Sequence, residues 1–336
     1  MNPTLPYTET FYFVCHSGLD PETSLSELDS RFPENDDFGN LSHRTRTNNC
    51  LLLNENLQLE QEKEMGKIWV RLSDKDLDFL IETVHPEVID KLKLREIIRE
   101  DEAFRNTFIA DEKVFRRLMD DEEIFLKISP TLFFEILLRR VVNDLRGASY
   151  TLEKTTSMKI PVFDTKEVVE LLSKESLLDY LATMLSSFTK IENYTIWFKR
   201  RTGILERIQF NDLDIFSPMG LCEVVEDEHR LGFYKRIADI CLFILGIFPD
   251  YAEHEYRYPF SGHVRPQLRG RARISPEEYE TEGKRYYKLA AEQPSAKEMD
   301  LAEVFQTLHE NFQRARKPLN FVAEFYLQYR RNKLFV

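Results

Sequence analysis

Ser129-Pro130-Thr131-Leu132-Phe133-Phe134-Glu135-Ile136-Leu137-Leu138-Arg139-Arg140-Val141-Val142-Asn143-Asp144-Leu145-Arg146-Gly147 is the stretch from which the fold is read. A serine before a proline is a helix start: the hydroxyl can accept a backbone amide, and proline at the first helical position lacks a donor that would be orphaned anyway. Phe133, Ile136, Leu137 and Val141 then recur at helical spacing, and Gly147 supplies the expected stop. The pattern predicts a helix over 131–146.

The same punctuation spreads outward. Ser217-Pro218 and Ser275-Pro276 repeat the start signal. Ser73 followed by Asp76 has the spacing of a capping box, and Leu77, Leu80, Ile81 and Val84 form a stripe behind it. His85-Pro86 ends that helix and starts another with Val88, Ile89, Leu92, Ile97 and Ile98 on its apolar side. Asp101, Asp111 and Asp121 each open a short unit that ends in apolar residues, and carboxylates in a first turn complement the helix dipole. Asp164 with Glu167 is a further capping signal, with helices following through Lys190. Two helices are expected over 218–248, and three more over 276–293, 296–316 and 318–331.

Only 11 glycines occur in 336 residues, about half of ordinary usage, which disfavours hairpin-rich folds and phosphate loops. The expected fold class is therefore all-α: a multi-helix bundle or solenoid-like array. Strand is confined to short pieces near Ile68–Leu72, Lys159–Phe163 and Ile204–Phe210. The β-branched stretch Tyr150–Phe163 reads as an extended linker between a lobe at 65–149 and a lobe at 164–336. Residues 1–64 are rich in Ser, Asp, Glu, Asn, Pro and Thr without periodicity, the composition of a disordered extension. Met65 opens directly onto patterned sequence and is a plausible native start.

Composition also narrows the function classes. Net charge is −12, against coating of nucleic acid by bulk charge. Cys15, Cys50, Cys222 and Cys241 form no C-x-x-C pair, so a thiolate zinc site has no support. The most apolar run, Ile237–Phe248, is interrupted by Asp239 and is too short for the ~20 residues of a membrane span. No secretory signal is present, no membrane partner is expected, and the cytoplasm is the default location. Walker, G-x-G-x-x-G, H-E-x-x-H and G-x-S-x-G motifs are absent.

Three constellations remain. Glu223, Glu226 and His229 share one helical face, the spacing of half a carboxylate-bridged di-metal site, but the second E-x-x-H that such a site needs is missing. No metal or cofactor is assigned on that basis. Arg257 and His263 resemble the Arg–His spacing of HEPN ribonucleases, although Pro259 and Gly262 break the helix that pattern requires. The third is the segment 257–273, which holds Arg257, Arg265, Arg269, Arg271 and Arg273 with His263, Tyr258 and Phe260, and no acid. Guanidinium forks beside aromatic rings suit phosphates and unstacked bases. This points to a helical interaction or regulatory module engaging an anionic partner: nucleic acid, a nucleotide or an acidic protein. An internal clamp across acidic helices is the competing account of these arginines. An enzyme using them on a phosphorylated or carboxylate substrate and an oligomerising structural protein are the alternative functions, and a homo-oligomer stays open.

Overall fold

A computed structural model describes residues 11–14, 72–121, 123–154, 159–190, 193–199, 205–211, 213, 215–222, 227–249, 274–327 and 334. The chain divides into two units, one from Met1–Lys67 with Ile191–Val224 and a larger one from Ile68–Lys190 with Val225–Val336. The fold is predominantly α-helical, as the caps and the shortage of glycine require.

In the larger unit, helix α1 (Asp74–Val84) opens on a full capping box, with Ser73 and Asp76 each accepting the other's backbone amide. Helices α2 (Lys91–Glu100), α3 (Glu102–Ile109) and α4 (Glu112–Asp120) begin on Asp90, Asp101 and Asp111. Those carboxylates accept the amides of Lys93, Phe104 and Lys113. The single-turn helix α5 (Ile124–Lys127) follows Asp121, which accepts the Glu123 amide. Helix α6 (Pro130–Arg146) starts on Ser129, whose hydroxyl accepts the Leu132 amide. Gly147 ends it with φ −88°, an ordinary right-handed value, so the stop does not depend on glycine's freedom. One expected stripe fails: Ile89, Leu92 and Ile97 are exposed, and Ile98 alone is buried in α2.

The stretch expected as a linker is a hairpin inside this unit. Strand β2 (Thr151–Lys154) pairs antiparallel with β3 (Lys159–Val162). Helices α7 (Thr165–Leu172) and α8 (Glu175–Ser187) then pack on α6, so the helices on both sides of 150–163 share one core. The expected lobes at 65–149 and 164–336 thus both contribute to the larger unit, which holds 68–190 and 225–336. Asp164 sits at the N-cap of α7 but makes no cap bond, because its oxygens are taken by Thr151 and Lys317.

Helix α10 (Leu231–Ile247) is buried on almost every side from Ile237 onward, as its apolar run predicts. It pairs with α11 (Pro276–Glu292), which opens on a capping box at Ser275. Gly283 makes that approach possible: a Cβ there would lie 2.5 Å from the Phe312 ring and 3.0 Å from Cys241 Cβ. The helices expected over 296–316 and 318–331 are cut differently, into α12 (Pro294–Glu298), α13 (Ala302–Glu310) and α14 (Phe312–Phe321), and a π-helical turn at Val322–Leu327. The α12–α13 turn is a Schellman motif, with Leu301 N–H donating to Ala296 and Asp300 N–H to Lys297. Its left-handed position holds Asp300 at φ 57° instead of glycine. Pro318 lies inside α14, and Asn320 beyond it donates to the Leu245 and Gly246 carbonyls at the end of α10.

In the smaller unit a three-stranded antiparallel sheet has the order β1-β4-β5, from β1 (Phe11–Val14), β4 (Asn193–Lys199) and β5 (Leu205–Asn211). Phe11 pairs with Phe198 and Val14 with Thr195, so part of the expected N-terminal extension is a sheet strand. β4 replaces the irregular stretch expected around Trp197, while β5 and β3 fall where strand was predicted. Helix α9 (Phe216–Cys222) begins before Ser217-Pro218, which therefore lies in its first turn rather than at its cap. The strand predicted at Ile68–Leu72 lies outside the described residues except for Leu72, which is not strand.

Candidate functional site

The arginine-rich segment, with Arg257, Tyr258, His263, Arg265, Arg269, Arg271 and Arg273, lies outside the described residues. Its anchorage is described. It joins α10 to α11, which run antiparallel: Cys241 meets Gly283, while Asp239 two residues earlier bonds Tyr287. Glu223 and Glu226 are also outside the described residues, and His229 ends a 3-10 turn at Asp227–His229. Among the described residues no group of three or more His, Cys, Asp or Glu side chains could hold a metal ion. His309 packs as an ordinary histidine, its Nδ1 2.9 Å from the Lys284 carbonyl, which makes Nδ1 the protonated nitrogen.

The chemistry that is described lies inside the helical array. Asp239 on α10 is wholly buried and accepts three donors. Tyr180 Oη donates to its Oδ1 at 2.6 Å, Tyr287 Oη to the same oxygen at 2.8 Å, and Lys235 Nζ to Oδ2 at 2.7 Å. One carboxylate thereby joins α8, α10 and α11. Burial, reinforced by the Asp239 charge, holds both phenols well above their ordinary pKa. Both oxygens of the buried carboxylate are engaged by donors of the array itself.

A second cluster lies where α3, α6 and α8 meet. Arg139 on α6 donates to Glu135 Oε1 from Nε at 3.0 Å and Nη2 at 2.8 Å. It also spans both oxygens of Glu175 on α8, at 3.3 and 2.8 Å, and reaches Asn106 Oδ1 on α3 at 2.8 Å. Beside it, Arg105 Nη2 on α3 stands 3.8 Å from Asp179 Oδ2 on α8. Arg105, Glu135, Arg139 and Asp179 are all buried, and only Glu175 reaches water. Burial drives the Asp179 carboxyl upward, Glu135 adds to this, and Arg105 and Arg139 oppose it; the result is about 7. Arg139 is lowered by burial but raised more by Glu135 and Glu175, so it stays a cation.

A third contact closes the hairpin onto α14. Lys317 and Thr151 both donate to Asp164. Burial lifts the Asp164 carboxyl, but these two donors outweigh it and hold it below its ordinary range. A polar groove opens beside this contact, bordered by Lys284, Glu310, Asn311 and Arg314. Its cations are already engaged: Lys284 with Glu280, Arg314 with Asn311, and Lys317 with Asp164.

These interior charges were not singled out from sequence, though each had a signal. Asp239 interrupts the longest apolar run, Asp179 sits in the apolar series Leu177–Leu185, and Glu135 and Arg139 stand four apart in a helix otherwise apolar on that face. An acid inside an apolar helical run marks a buried polar junction. No family model, curated protein or solved structure matches the chain.

Proposed function

We propose that the chain is a helical interaction module that engages an anionic partner through residues 257–273. The observation that supports this is the state of the acids. Asp76, Glu135, Asp179 and Asp239 are the buried carboxylates among the described residues. Asp76 accepts from Ser73 and Ser129, Glu135 pairs with Arg139, Asp179 with Arg105 and Asp239 with Lys235. Each of them already meets a donor or a cation from the helices around it, which favours a ligand from outside for the arginines of the segment. The segment also departs from and returns to two helices that are firmly packed on each other. Binding chemistry is commonly carried by a connection held on such a rigid scaffold.

Arginine remains charged at every relevant pH, and its planar fork matches phosphate oxygens. An oligonucleotide is the first partner to test. Fluorescence anisotropy with a labelled single strand should show affinity falling with salt, with a logarithmic slope of up to about −0.7 for each phosphate neutralised. Changing Arg265, Arg269, Arg271 and Arg273 together to Gln should abolish binding and leave the unfolding midpoint unchanged. Saturation by a mononucleotide with no salt-steep strand binding moves the partner to the small-molecule class. A variant that loses several kcal/mol of stability shows an internal clamp and overturns the proposal.

A further inference from the structure

We propose that the outward face of α2 is a self-association surface, on which a second copy of this chain docks its own α2 antiparallel about a two-fold axis. The inference starts from how α2 divides its side chains. Toward α1 its cations are occupied: Lys91 pairs with Glu82 at 3.0 Å, Arg95 with Asp78 and Arg99 with Asp74. Ile98 is buried on that inward side.

The outward face is the reverse. Leu92, Glu96 and Glu100 recur four apart, and so do Lys93 and Ile97, so the two rows lie side by side on one helical face. Leu92 is 69% exposed and Ile97 39%, and Ile89, one residue before the N-cap Asp90, is wholly exposed. Lys93, Glu96 and Glu100 make no ion pair among the described residues, unlike the three cations turned toward α1. A lone exposed isoleucine is ordinary. Three apolar side chains beside charges of both signs that the chain leaves unpaired form a patch with something to gain from a partner.

The partner that fits is a second copy, because the pattern is its own complement when reversed. An antiparallel pair with the two-fold between Leu94 and Arg95 sets Leu92 level with Ile97 of the partner subunit. The same axis sets Lys93 level with Glu96 of the partner subunit, and by symmetry each match occurs twice. Glu100, at the end of α2, comes beside the first turn of the partner helix, whose free amides favour an acid. A parallel pair would instead set each Lys93 and each Glu96 against its own copy, so charge selects the antiparallel arrangement. One helix pair is a small interface, and the dimer therefore forms and parts with concentration. The surface shares no residue with 257–273, so it stands or falls independently of the anionic partner.

The test is sedimentation velocity on the full chain over about a hundredfold range of concentration. A species of twice the chain mass should grow in as concentration rises. Leu92→Gln should weaken association by about tenfold, since both copies lose the apolar contact. Its unfolding midpoint, read on the dilute monomer, should stay unchanged because Leu92 already faces water. Lys93→Glu and Glu96→Lys should each weaken association by about tenfold or more, as either one sets like charges together at both symmetric positions. The double variant Lys93→Glu/Glu96→Lys restores opposite charges and should return to within about threefold of wild type. Mixing the two single variants is the most specific reading: together they should form a mixed dimer that neither forms alone. A chain monomeric throughout, a dimer indifferent to these changes, or single variants that ignore each other overturns the proposal. A lowered midpoint in dilute Leu92→Gln shows the face covered by the chain itself and overturns it equally.

Discussion

Removing the Asp239 carboxylate should damage the helical array more than any other single polar change. Three donors converge on it, and two of them, Tyr180 and Tyr287, are buried. In Asp239→Ala both phenol hydroxyls lose their acceptor, each at about 1–3 kcal/mol of desolvation left uncompensated. Lys235 is less exposed to harm, because its side chain is one-fifth accessible and can turn toward water. The expected loss is roughly 4 kcal/mol, a large share of the 5–15 kcal/mol that ordinarily separates folded from unfolded chains. Asp239→Asn keeps an oxygen for the tyrosines and gives up the lysine pair, so it should lose about 1–2 kcal/mol.

The two tyrosines give a sharper version of the same test. Tyr180→Phe and Tyr287→Phe each remove one donor from an oxygen that retains the other, for about 1.5 kcal/mol apiece, the lower end for bonds to a charged group. Together they leave Oδ1 with no donor, so the double variant should exceed the sum of the singles by about 1 kcal/mol. Protection of the α10 amides in residues 240–245 reads this locally and does not require the whole chain to unfold in one step. Additive singles, or an Asp239→Ala loss below about 1 kcal/mol, would show that the hub is not a coupled network.

Other expectations follow from close contacts and charges. Gly283→Ala should lose about 1–3 kcal/mol in urea unfolding, because its Cβ would meet Phe312 at 2.5 Å, whereas Gly232→Ala on the same pair of helices meets nothing within 4 Å and should be neutral or slightly stabilising. Asp300→Gly should raise thermal stability by up to about 1 kcal/mol by relieving a left-handed aspartate at φ 57°, and Asp300→Val should lower it. Asp164 is held below its ordinary pKa, so its contribution is present above about pH 4 and is lost as pH falls through the folded value. Lys317→Met should therefore flatten the acid limb of the stability profile.

The fold was legible wherever a helix start uses local chemistry. Ser73, Ser129 and Ser275 cap within three residues of themselves, and among the described residues nothing distant competes for their hydroxyls. Asp164 shows the limit of that reading. It has the residue type and spacing of a cap, but Lys317, 153 positions away, takes its carboxylate. Ile89 and Leu92 fail for a related reason: periodicity says that one face of α2 is apolar, and only packing decides how much of that face is covered. The β4–β5 hairpin was half legible. Its first strand is the richer in residues suited to sheet, Tyr194 through Phe198, but Lys199 and the basic residues after it hid its end, and only the second was expected as strand.

Interior charge was the least legible property, because its meaning depends on how many charges meet. Glu135 and Arg139 alone read as a common surface pair four residues apart, worth a few tenths of a kcal/mol. Packing α3 and α8 against that face adds Arg105, Glu175 and Asp179, and turns a balanced pair into an odd-numbered cluster. Asp239 faces the opposite outcome. It too is an acid in an apolar helix, but its neighbours bring donors to both oxygens, so burial raises the tyrosines that donate to it. Two acids with the same local signal thus end in different surroundings: Asp239 receives three donors, whereas Asp179 faces Arg105 at 3.8 Å. Those partners are set by helices remote in sequence.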